Sequence, residues 1–142
     1  MKKQNFKNHS RLVPGYHFLG GTLLLLLFVG SIVNLIVGNS ENLYNATLLV
    51  LISILLVIVA FYARVFALKA QDRAIKAEEN FRHYILTGTP LSKDLRMRQI
   101  IALRFASDSE FQELAKLSVT DNLSEKEIKK RIKDWKPNTY RV

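Results

Sequence analysis

Two apolar runs, Tyr16 to Val37 and Ala46 to Leu68, constrain this chain more than anything else in it. Only the eight residues from Gly38 to Asn45 separate them. A helix rises about 1.5 Å per residue, so each run is long enough to cross the roughly 30 Å hydrocarbon core of a bilayer. Between His17 and Arg64 the one charged residue is Glu41, inside the connection. A chain of 142 residues has room for such a pair of helices and one small water-exposed domain, not for two further globular cores. The expectation is an all-α membrane protein built on a two-helix transmembrane hairpin.

Charge is distributed around those runs, with Arg64 near the end of the second the one charge within them. From Arg64 to Val142 there are 17 Lys or Arg against 11 Asp or Glu, and Lys2, Lys3, Lys7 and Arg11 precede the first run with no acid among them. Lys and Arg beside spans are retained on the cytoplasmic side, so both termini are expected inside and the short connection outside. The first run is too long for a signal core and no small-x-small cleavage site follows it, which argues against a cleaved secretory signal. With no cysteine, disulfides, thiolate metal sites and cysteine nucleophiles are excluded together.

Six segments follow. Residues 1–15 form a basic cytoplasmic segment, either a solvated tail or a strip along the anionic headgroups, ending at Pro14-Gly15. Residues 16–37 form the first span, with Tyr16, His17 and Phe18 at the interface, and 38–45 the extracytoplasmic turn. Asn45-Ala46-Thr47 matches a glycosylation acceptor, yet a cap for the second span explains Asn45 without further assumption. Residues 46–68 form the second span. No Gly or Pro intervenes before Gly88, so the helix is expected to run on through 69–87 as a cytoplasmic stalk.

Residues 88–142 then form a small three-helix cytoplasmic domain. Thr89-Pro90 offers the first helix start, with Ile100, Ile101, Leu103 and Phe105 as its apolar surface. Ser107 to Glu110 and Ser124 to Glu127 both read as capping boxes, the second opening a helix with Ile128, Ile132 and Trp135 inward and Pro137 at its end. So few residues make a marginal core alone, and Phe81, Tyr84 and Ile85 of the stalk, with Trp135, are its expected packing partners.

Residues with chemical potential are sparse. His9, His17 and His83 fall in separate segments without ligand spacing, and there is no Gly-rich phosphate loop, nucleophile elbow or apolar acid pair. No metal, cofactor or catalytic residue is expected, and the chain does not read as an enzyme. The absence of intramembrane ionisable residues disfavours a pump or carrier. Gly30, Asn34 and Gly38 at four-residue spacing, with Ser53 at matching depth, are the candidate packing face within the membrane, closing the hairpin or gripping another protein. Lys126, Lys129, Lys130, Arg131, Lys133 and Lys136 form the densest basic surface. Its Lys-rich make-up and the membrane tether argue against base readout by a helix-turn-helix, and favour solvated charge or anionic lipid headgroups.

Three stretches carry a resemblance: Gln4 to His9 with Val13 to Phe18, Arg98-Gln99-Ile100-Ile101-Ala102-Leu103-Arg104-Phe105-Ala106-Ser107-Asp108, and Leu123-Ser124 through Ile132-Lys133-Asp134-Trp135 to Tyr140-Arg141-Val142. Together they resemble an uncharacterised family of small bacterial membrane proteins with two spans and a cytoplasmic helical tail. The resemblance implies a bacterial inner-membrane location and brings no activity. The function expected is a non-enzymatic accessory subunit or adaptor of an inner-membrane complex, its basic domain turned to a protein partner. Two alternatives stand beside it: electrostatic binding of ribosome or nucleic acid, and self-assembly into a small membrane oligomer.

Overall fold

The computed structural model describes residues 4–8 and 12–137, and all of its regular structure is helical. Lys2, Lys3, His9, Arg11 and the closing Tyr140-Arg141-Val142 lie outside the described residues. Five α-helices follow in order: α1 Gly21–Val37, α2 Leu43–Thr87, α3 Met97–Leu103, α4 Asp108–Thr120 and α5 Glu125–Arg131. A π-helical turn, Gly15–Gly20, leads into α1, and a 3-10 turn, Ser40–Asn42, leads into α2. The chain divides into two compact units, one holding residues 12–67 and the other 4–8 with 68–137. α2 contributes to both.

In the first unit, two helical stretches are long and apolar enough to cross a membrane, Gly15–Val37 and the one beginning at Ser40. Hydrogen bonds tie them together at two levels. The Tyr16 hydroxyl donates to the Ala60 carbonyl at 2.6 Å, and Ser31 Oγ lies 3.2 Å from Ser53 Oγ. Each serine hydroxyl is also within bonding distance of its own helix, at the Phe28 and Val50 carbonyls. Two protons thus serve three contacts, and whichever hydroxyl donates across the pair leaves its local carbonyl. Around the buried serines nearly every Leu, Ile and Val side chain is exposed, up to 76% for Ile36.

The second unit has a continuous core, with Phe105, Phe111, Ile100, Leu103 and Ile128 fully buried. α2 enters it through Ile75, Glu79 and Leu86 and stops at Gly88, whose φ of +74° turns the chain left-handed while its N–H bonds to the Tyr84 carbonyl at 2.8 Å. The helix expected from Thr89-Pro90 does not begin there. Residues 88–96 are an irregular connection, held by the Asn80 side chain accepting from Leu91 N–H and by Ser92 Oγ accepting from Asp94 N–H, and it buries Leu91 and Leu95. α3 starts only at Met97, where Gln99 Oε1 accepts from Arg96 N–H while its amide donates to the Ser118 and Leu123 carbonyls.

α4 ends in a Schellman arrangement, with Leu123 N–H on the Ser118 carbonyl and Asn122 N–H on Val119. Asn122 takes the left-handed position, φ +48°, normally given to glycine. After α5 the chain returns beside the α3–α4 corner: Ser107 N–H bonds to Asp134 O, Lys136 N–H to Phe105 O, and the Trp135 and Phe105 ring centres lie 5.2 Å apart with the planes tilted by 37°. A β-branched residue at the left-handed position is strained, so Asn122→Val should destabilise this unit by about 1–2 kcal/mol and Asn122→Gly should not. Trp135 is the single tryptophan and packs on this core, so thermal melts followed by its fluorescence in the detergent-solubilised chain report the difference directly.

Candidate functional site

The segment Ser124 to Lys136 makes a basic face because α5 begins with a closed capping box and keeps only one side against the core. Glu127 N–H reaches Ser124 Oγ at 3.3 Å, and Ser124 N–H donates to Glu127 Oε2 at 2.7 Å. Ile128 and Ile132 point inward, which leaves Lys126, Lys130, Lys133 and Lys136 exposed. The two remaining predicted members play another part. Lys129 is buried, its ammonium 2.6 Å from Glu125 Oε1 and over the Phe105 ring at 5.5 Å, and Arg131 reaches Asp121 at 3.4 Å. Among the described residues the part of the face without an ion pair is therefore four lysines, and beside them Arg98, its side chain 86% exposed, lies 3.9 Å from Glu125.

The same face carries two grooves. One is lined by Phe6, Arg98, Ser124, Glu125, Lys126 and Lys129, so the N-terminal segment packs beside α5. The other mixes charges, with Glu110, Glu113 and Asp134 near Lys130, Arg131 and Lys133. The Glu110 carboxylate accepts the backbone N–H groups of Lys133 and Asp134 at 3.1 and 3.0 Å. That contact explains why the expected Ser107–Glu110 capping box is not closed: Ser107 Oγ bonds to Ser109 Oγ instead, and the acid is committed to a segment distant in sequence.

The residues expected to seat the stalk on the domain are placed differently. Phe81, Tyr84 and Ile85 are 65%, 54% and 66% exposed, while Trp135 alone of that set packs on the core. The inward positions of α2 are Ile75, Glu79, Arg82, His83 and Leu86. Arg82 decides the orientation. Its guanidinium donates to Asp108 Oδ1 at 2.6 Å, the Ala106 carbonyl at 2.7 Å and Glu79 Oε2 at 3.0 Å, and sits 4.3 Å from the centre of the Phe111 ring. Beside it Gln112 Nε2 donates to the Leu86 carbonyl, and His83 Nδ1 lies 2.7 Å from the Thr89 carbonyl. No periodicity argument finds Arg82; the one sequence signal is the Glu79–Arg82 spacing on a helix.

Within the apolar helices, Gly30, Asn34 and Gly38 follow one another at four-residue spacing along α1 and its cap, and Ser53 packs on Ser31, not on that stripe. Ser53 is buried on Ser31, Gly30 and Asn34 are exposed, and a Cβ at Gly30 would touch nothing within 4 Å. Gly38 ends α1, its N–H on the Asn34 carbonyl, and a Cβ there would come within 2.5 Å of that oxygen. The unforeseen member is Ser31, and its signal was a second hydroxyl in an otherwise apolar run. Among the described residues no group of three or more His, Asp or Glu is placed to hold a metal ion.

Burial holds the Glu79 carboxyl above the ordinary Glu value of 4.5, opposed by the hydrogen bond and charge of Arg82 and by the charge of Lys136. The Glu127 carboxyl is held below the same value by its hydrogen bonds with Ser124. A raised acid binds its proton more tightly when folded, so the Glu79 contribution falls as pH rises from 4.5 through the folded value and is level beyond it. The Glu127 contribution is present above 4.5 and is lost as pH falls through its lower folded value. Glu79→Gln should flatten the first of these slopes and Glu127→Gln the second, read from Trp135 melts across pH. Arg82→Ala leaves Glu79 buried without a counter-ion and should cost about 3–5 kcal/mol; Arg82→Lys, lacking the fork, should recover only part of it.

Residues 1–142 match the model of a family of unknown function (DUF6526). No curated protein and no solved structure matches the chain.

Proposed function

We propose that this chain, which belongs to the family of unknown function DUF6526, is a non-enzymatic adaptor or accessory subunit of a bacterial inner-membrane complex. In this reading the apolar helices are a transmembrane hairpin with both termini cytoplasmic, α2 continues past the second span into the cytoplasm, and α3 to α5 present a basic surface to an acidic face of a protein partner.

One observation carries the reading: the second unit has a continuous buried core, and four exposed lysines, Lys126, Lys130, Lys133 and Lys136, stand on one short segment beside it. Lys129 and Arg131, which would have belonged to a purely solvated face, are spent on Glu125 and Asp121 to fix that segment's shape. A fixed scaffold with mobile ammonium groups suits recognition of a carboxylate-rich protein surface, where the charges steer encounter and set register. The membrane part of the reading is supported by the exposed Leu, Ile and Val side chains of the first unit, since water-soluble monomers rarely leave contiguous apolar patches larger than about a few hundred Å² open. It is supported also by basic residues flanking the runs.

Purification from native membranes in mild detergent should co-isolate a stoichiometric membrane protein, and the charge reversal Lys126→Glu, Lys130→Glu, Lys133→Glu, Lys136→Glu should release it while leaving the Trp135 melt in place. Isolation of the chain without any partner sinks the proposal. The orientation has its own test, because the chain has no cysteine. With a membrane-impermeant maleimide on intact cells, Ser40→Cys should label and Lys130→Cys should not; the reverse pattern contradicts the topology.

A further inference from the structure

With Arg82 drawn into the core, the opposite side of α2 faces away from its own unit. That side carries Phe81, Tyr84 and Ile85, all more than half exposed, and continues backward through Ala77, Ala74 and Ala70, exposed as well. Ala70, Ala74, Ala77, Phe81 and Tyr84 recur at alternating steps of four and three, the a and d spacing of a coiled-coil seam. The residues α2 buries in this unit, Ile75, Glu79 and Arg82, fall at the b and f positions of the same heptads, on the far side of the helix. The seam is thus an apolar stripe that the unit's own packing leaves uncovered.

The flanking charges indicate what covers it. In this register Arg73 is a g position and Glu78 is the e position of the following heptad, the pair that meets across two parallel helices of identical sequence. Both are exposed, and among the described residues neither is in an ion pair within the chain. A self-complementary g–e′ pair is satisfied by a second copy in parallel orientation, and satisfied twice, once on each side of the seam. Alanine at successive a and d positions lets two backbones approach closely, and Phe81 and Tyr84 add the larger apolar contact before Gly88 ends the helix.

We infer that residues 70–85 of α2 form a parallel, two-stranded self-association surface, with Arg73 of each copy paired to Glu78 of the other. A seam of about two heptads is too short to hold two helices together in dilute solution. Two copies inserted in one bilayer already share orientation, and confinement to the membrane supplies the effective concentration that a short seam lacks. The parallel orientation rests on the membrane reading above; the identity of the partner on the lysine face does not enter.

Single cysteines in the cysteine-free full-length chain test the surface in native membranes under mild oxidation. Ala74→Cys and Ala77→Cys bring their Cβ atoms within disulfide reach across a parallel seam and should give dimer in yields about tenfold above Lys76→Cys, an exposed c position facing outward. Arg73→Glu and Glu78→Arg should each lower the Ala77→Cys yield, and the two together should restore it. Equal yields at positions 74, 76 and 77, no dimer at any of them, or capture of a different protein by a thiol crosslinker at 77 overturns the inference. So does a double charge swap no better than the single ones. The Ser40→Cys labelling reports the topology independently, so a wrong seam and a wrong membrane orientation give different results.

Discussion

A guanidinium withdrawn from water needs its donors answered and its charge compensated, or the site costs several kcal/mol. Arg82 meets that requirement with two carboxylates, a backbone carbonyl and an aromatic face, drawn from α2, the α3–α4 corner and α4. Because those partners come from separate elements, the residue fixes how the C-terminal part of α2 is turned about its own axis within its unit. Everything else on that stretch of helix follows. Ile75, Glu79 and Leu86 go inward with it, and Phe81, Tyr84 and Ile85 are left outward.

A second tie, Glu110 to the backbone of Lys133 and Asp134, does for the C-terminal segment what Arg82 does for α2. It brings the chain after α5 back against Phe105 to Ser107, where Trp135 stacks on the core. The exposed lysines are consequently carried on a segment anchored at both ends, by the Ser124–Glu127 box at its start and by Glu110 near its close. In the proposed role such anchoring is a gain, since less backbone freedom remains to be lost on binding.

The sequence was legible where short-range chemistry decides. The two apolar runs, the unbroken helix to Thr87, the left-handed stop at Gly88 and the Ser124 box all follow from residues within a few positions of one another. It was misleading where a distant partner competes for the same atoms. Ser107-Asp108-Ser109-Glu110 has the same capping pattern as Ser124 to Glu127, yet Glu110 serves a segment more than twenty residues on. The outward stripe of α2 is more apolar than the inward one, so hydrophobicity alone chose Phe81, Tyr84 and Ile85 as the core side, and only the Arg82 network reverses that choice. Thr89-Pro90 has the chemistry of a helix start, but Leu91 and Leu95 gain more as buried anchors of an irregular connection. In the first unit Gly30 and Asn34 looked like the contact because they were small or polar, whereas the burial is centred on Ser31 and Ser53.

The proposed adaptor role turns on what the exposed lysines touch in the cell. A photoreactive amino acid placed at Lys130 or Lys133 and irradiated in intact cells reads that contact without detergent or purification. The account predicts one discrete protein adduct at both positions. Adducts consisting of lipid or RNA, or a scatter of unrelated proteins, would contradict it.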